Sequence, residues 1–160
     1  MILVWSLAGG AAGSLVLATV LRLGSELQWT RMDLPLLLGE MWTGNRERAK
    51  EIGWVLQFAA GLVFSLVYAG IFAATGRSGW GLGAALGLLH GLVAGTVIVE
   101  TFLPFVHGRI GSRSTAADAA PLLEPPGFLL VNYGLATPVI SLLGHMVYGA
   151  LVGGFTSLAS

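Results

Sequence analysis

The sequence predicts an all-α fold: a polytopic membrane protein built as a bundle of four transmembrane helices with two long cytoplasmic connections. Three observations carry that expectation. Charged residues make up only 10% of the 160-residue chain, against 55% hydrophobic ones, whereas soluble domains hold about 25% charge. The charges are bunched, which leaves four windows of roughly 20 apolar residues, the length one helix needs to cross the hydrocarbon core. The 24 glycines are unfavourable in soluble helices but common where helices pack together in lipid. The chain reads as a single four-helix transmembrane domain over residues 1–160, with spans at about 2–22, 52–75, 79–103 and 137–158.

The first span carries no charge. A cleaved signal peptide is the competing reading, and it is disfavoured because no basic residue precedes the apolar run and Arg22 follows it. The first connection contains "MDLPLLLGEMW" (32–42), which suits a segment lying at the interface or a short re-entrant loop. Asn45 then fits the N-cap of the helix that leads into the second span. That span is interrupted only by Gln57, and the third contains His90 and Glu100. The second connection, rich in Ser, Ala, Gly and Pro, is expected to be the most mobile part. Pro138 suits the first turn of the fourth span, where its missing N–H costs nothing. His145 is the one titratable group usually charged or neutral near pH 7 in that span.

Charge placement predicts orientation. Four spans put both long connections on one side of the membrane. Those connections hold Arg22, Arg31, Arg46, Arg48, Lys50, Arg109 and Arg113, and only Arg77 lies in the short turn between spans two and three. Basic residues concentrate on the cytoplasmic side of bacterial and plasma membranes, so both termini are expected outside the cytoplasm. The order of elements also permits a parallel two-fold internal repeat. "PLLLGEMWTG" (35–44) echoes "PPGFLLVNYG" (125–134), and "QFAAGLVFS" (57–65) echoes "HMVYGALVG" (145–153).

Small residues recur every four positions in each span. The third has Gly83, Gly87, Gly91 and Gly95, and the fourth has Gly149, Gly153 and Ser157. The first has Ser6, Gly10, Ser14 and Ala18, and the second has Gly53, Gly61, Ser65, Ala69 and Ala73. Residues four apart share one helix face, and small ones let backbones approach closely. The plainer reading is that these stripes pack the chain on itself. The sharper one is that a stripe in the first or third span faces a partner subunit.

Polar groups at membrane depth are costly and should face the interior. Counted at about 1.5 Å per residue from the basic end of each span, Glu100 lies roughly 6 Å deep, Gln57 roughly 9 Å, His145 roughly 13 Å and His90 roughly 20 Å. Gln57, Glu100 and His145 are thus expected to share a polar cluster, with His90 deeper and helped by Tyr68 or Tyr148. The plain roles are a Glu100 that reaches the headgroups, a Gln57 that bonds across helices, and neutral, satisfied histidines. The functional alternative is a short proton or solute path through Glu100, His145, His90 and Gln57. Haem is not expected, because the two histidines differ by roughly 7 Å in depth. No metal is expected, because no ligand pair stands at i, i+3 or i, i+4. Cysteine is absent, and no phosphate loop or nucleophile elbow is visible. The expectation is therefore a protein without cofactor and without catalytic apparatus.

The runs "GWVLQFAAGLVFSLVYAGIF", "GAALGLLHGLVAGTVI", "LEPPGFLLVNYG" and "GHMVYGALVGG", together with "MDLP" at 32–35, resemble small uncharacterised four-helix bacterial inner-membrane proteins, a family labelled as a domain of unknown function. The resemblance covers most of the chain from Met32 onward and implies an inner-membrane location and topology, with no activity attached. The composite expectation is a structural or accessory membrane subunit that packs through glycine faces, in a homo-oligomer or a larger membrane complex. No nucleic-acid partner is expected from a net charge of zero. A small transporter is the alternative.

Overall fold

The computed structural model describes residues 1–107 and 124–159. The Ser- and Pro-rich heart of the second connection, expected to be mobile, lies outside the described residues. The described residues form helices and loops without a strand: α1 (Ile2–Glu26), α2 (Leu34–Gly39), α3 (Arg46–Thr75), α4 (Trp80–Val93), a π-helical stretch (Ala94–Phe102), α5 (Leu103–Val106), a 3-10 segment (Phe128–Tyr133) and α6 (Thr137–Ser157). Four helices are long and apolar enough to cross a membrane: α1, α3, α4 with its π continuation, and α6.

One boundary moves outward from its expected place, and the helix of the second span begins at its expected cap. The first span's helix runs to Glu26, because Arg22 and Glu26 pair at 2.9 Å one turn apart and extend it into the polar zone. The second span's helix starts at Arg46, where the Asn45 side chain accepts a hydrogen bond from the Arg48 N–H at 3.0 Å. It ends at Gly76, whose φ of 63° closes the last turn in the left-handed conformation. The third span winds as a π-helix after Val93. There Gly91 and Gly95, weak helix formers, adjoin Thr96, Val97, Ile98 and Val99, whose branched β-carbons crowd a normal turn.

The four long helices stand in the spatial order α3, α1, α6, α4. Glycine sets how close they come. On α1, Gly9 and Gly13 lie against Val152 and Tyr148 of α6, while Gly10 lies against Ser65 of α3. A Cβ placed on Gly83 would overlap the Gly149 carbonyl, one on Gly87 the His145 carbonyl, and one on Gly153 the Gly79 carbonyl. Gly91 lies on the His145 side chain, and Gly95 lies on Leu129. The stripes of the first and third spans are thus covered within the chain. This removes the expectation that one of them faces a partner subunit. Hydroxyl pairs add to the seams: Ser6 and Thr156 share a hydrogen bond of 2.8 Å between buried side chains.

The two long connections meet each other at the basic end. The backbone N–H of Arg31 donates to Tyr133 at 2.7 Å, Thr30 and Thr137 share a hydroxyl bond of 2.7 Å, and the Arg31 side chain reaches the Asn132 carbonyl. The "MDLPLLLGEMW" stretch forms α2, capped by Asp33, whose carboxylate accepts from the Leu36 N–H at 3.1 Å. It lies directly on the first turns of α3. A Cβ on Gly39 would overlap the Ala49 backbone, and one on Gly53 the Pro35 backbone. On its other side His107 donates from Nε2 to the Leu37 carbonyl at 2.8 Å, which ties α2 to the end of α5.

Candidate functional site

α3 and α4 are joined by a short turn yet share little backbone contact. About three helical turns from that turn they are bridged by rings: Phe64 lies 4.0 Å from His90 between centroids, and the Tyr68 hydroxyl lies 3.4 Å from His90 Nδ1. Toward the basic end the two helices part. A two-fold repeat would pair α3 with α4 as closely as α1 with α6, and a cleft lies where that pair would be.

The cleft encloses a cavity of about 180 Å³. Its walls come from Ala60 and Phe64 of α3 and from Ala94 and Ile98 opposite them, with Leu17 of α1 behind. Leu37 of α2 and the buried Leu130 floor it at the basic end. Leu129 and Leu130 hold φ values of 51° and 68°, a left-handed pair that costs roughly 1–3 kcal/mol per residue. That conformation lets Leu129 cover Gly95 and sends Leu130 inward. The described lining contains no carboxylate, ammonium or guanidinium.

The polar groups gather on one side. His145 donates from Nδ1 to the Ser141 carbonyl at 2.8 Å, so its neutral ring keeps the lone pair on Nε2. Tyr148 donates to the Gly61 carbonyl across α3 and α6. The His90 and His145 rings sit edge to face with centroids 5.0 Å apart. Gln57 is 7% exposed, and neither its amide nitrogen nor its carbonyl oxygen has a hydrogen-bond partner among the described residues. Buried polar groups are almost always paired, which makes Gln57 the outlier among the described residues. It also borders a second cavity of about 310 Å³ toward the basic end. There Lys50 pairs with Asp33 at 3.0 Å and Arg22 with Glu26, so opposite charges are matched.

Three of the four expected polar residues therefore come together and one does not. Gln57, His90 and His145 line the same cavity, whereas Glu100 is exposed on the outer side of the π-helical stretch. The π winding and the exposed helix face direct its carboxylate away from His145. The expected depth gap between the histidines also fails. Gly83 meets Gly149 and Gly87 meets His145; that antiparallel register, continued by two turns, sets Thr137 level with Gly95 rather than with Leu103. The fourth span starts two turns deeper than assumed, and side chains lean toward their own helix N-termini, so the rings converge. Depth therefore does not keep the two histidines from a shared haem. The geometry does, since rings 5.0 Å apart and tilted by 77° face each other rather than opposite sides of a macrocycle. Among the described residues no group of three or more His, Cys, Asp or Glu is placed to hold a metal ion.

Sequence reasoning passed over His107, which is fully buried and ties α2 to α5. A histidine directly after a span is usually read as an interfacial group, and nothing in its spacing points to α2. Comparison with protein-family models, with curated proteins and with solved structures finds no match.

Proposed function

We propose that this chain is a multi-pass protein of the plasma membrane that works by binding rather than by catalysis, an accessory protein that holds a small apolar molecule drawn sideways from the bilayer. The observation that carries the reading is the cleft between α3 and α4, an apolar cavity with convergent polar groups on one side, the usual form of a small-molecule site. Its mouth opens between two helices long and apolar enough to cross a membrane, so an occupant can enter without passing through water. The glycine faces support an accessory role in a different sense from the expected one, because they hold the frame that keeps the cleft in shape. A transporter built on a Glu100–His145 relay is disfavoured by the outward position of Glu100.

The test is organic extraction and mass spectrometry of protein purified in mild detergent, wild type beside Ala60→Trp and Ala94→Trp, which fill the cavity from opposite walls. A discrete apolar molecule recovered with wild type and lost from both variants is the expected result. Identical extracts from all three proteins would refute the reading.

A further inference from the structure

The polar wall of the cleft is a pair of imidazoles, and the bonds still open to them narrow the occupant's chemistry; the narrowing rests on the binding reading above. Gln57 is no handle for a ligand, because both polar atoms of its carboxamide are sealed from water. Among the described residues they are the only sealed side-chain nitrogen and oxygen that lack a hydrogen bond. His90 Nε2 and His145 Nε2 also have no hydrogen bond there, so each must be open to a guest, and both residues line the cleft.

The two nitrogens play opposite parts. His145 Nδ1 donates its proton to the Ser141 carbonyl, so Nε2 is an acceptor. Tyr68 is buried, and the one partner of its hydroxyl among the described residues is His90 Nδ1. A phenol that accepted there would leave its own proton unpaired. Tyr68 therefore donates, and the His90 ring proton stands on Nε2. With centroids 5.0 Å apart, one donor and one acceptor lie within reach of a single head group.

The head that fits is a hydroxylated ring. Phe64, His90, His145 and Tyr148 bring aromatic rings from three helices to the lining, and rings pack favourably on rings. A cavity of about 150 Å³ takes benzene, so about 180 Å³ holds one ring, with a longer tail lying out between α3 and α4. The described lining carries no charged side chain, and an unpaired ion in an apolar site is heavily penalised. A ring hydroxyl donates to His145 Nε2 and accepts from His90 Nε2. A ring carbonyl can only accept, so it leaves the His145 lone pair unmet. Membrane quinones carry those two groups on one skeleton, according to redox state. We infer that the cleft binds a one-ring hydroquinone lipid in preference to its oxidised quinone, and that His145 Nε2 makes the distinction.

The probes are decylhydroquinone and decylbenzoquinone, one skeleton in two redox states. The chain has no cysteine for the quinone to attack. Each probe is titrated without oxygen, at matched mole fraction in detergent micelles, against the full chain, with the unfolding midpoint as readout. Wild type should bind the hydroquinone about tenfold more tightly, the worth of one buried hydrogen bond and the acceptor it satisfies. His145→Phe keeps a ring and removes the acceptor, so it should bind both forms equally; His145→Leu is the second variant and should do the same. His90→Phe should weaken both forms, since both accept there, and keep the preference. Equal affinity of wild type for the two forms, or a preference that survives both His145 variants, would overturn the proposal and leave the binding reading standing. If neither form binds wild type, the proposal falls, and the extraction of the cavity-filled variants decides the binding reading by itself.

Discussion

Replacing Gly83 by alanine tests the close approach of α4 to α6. The added Cβ would overlap the Gly149 carbonyl and come within 3.0 Å of the Gly153 Cα. Ordinary carbon contacts lie at about 3.5–4.0 Å, so the helices must part by on the order of 1 Å. The obstacles are backbone atoms, which cannot swing aside as a side chain does. Overpacking costs about 1–3 kcal/mol, and the upper half of that range applies here. Alanine recovers about 1 kcal/mol of helix propensity, which leaves a net loss of about 1–2 kcal/mol. Gly70→Ala is the control, since nothing lies within 4 Å of its added Cβ; it should gain up to about 1 kcal/mol. Reversible unfolding by SDS in mixed micelles should separate the two variants by about 2–3 kcal/mol. If Gly83→Ala proved as stable as Gly70→Ala, the α4–α6 seam would not be the tight contact described.

Three further outcomes are expected. Asp33→Ala removes both the α2 cap and the partner of Lys50; it should cost about 1 kcal/mol, mostly from the cap, and raise proteolysis between α1 and α3. Burial, with help from Glu124 and Glu40, pushes the Tyr133 phenol up to about 12. Its contribution to stability is therefore complete below the unfolded value of 10.0 and fades as pH rises from there toward 12. Tyr133→Phe should flatten that alkaline loss in pH-dependent unfolding. For orientation, the chain has no cysteine, so single cysteines report cleanly. In intact cells an impermeant thiol reagent should label Arg77→Cys and spare Glu47→Cys, and the opposite pattern would invert the topology.

What could be read from the sequence were features whose cause is local. Asn45 and Pro138 act within one turn of their own helices, and both stand where expected. The four-residue spacing of glycine marked which faces would be close-packed, because that spacing follows from helix geometry alone. It could not say against whom. Gly10 and Gly13 differ by less than one turn, yet one meets α3 and the other α6. Likewise nothing in the sequence sets Gly39 against Ala49 or Gly53 against Pro35 until α2 folds back on α3. The polar cluster is legible in composition but its depth is not, because counting residues along each span takes α4 and α6 to end level. The true stagger is set where the two helices touch, Gly83 against Gly149 and Gly87 against His145, which is a tertiary contact.

The helix order has a consequence for how the chain is made. Of the four long helices described, α1 is made before the others and α6 after them, yet these two stand side by side in the middle of the row. α4 is made while its glycine face is still uncovered, because α6, the described helix packed on that face, lies beyond the second connection. α1 likewise waits with Gly9 and Gly13 exposed. Assembly must therefore hold three spans loosely until the fourth is released. A chain stopped before Thr137 would then leave two unclosed seams, the kind of surface that membrane quality-control proteases and insertion chaperones engage.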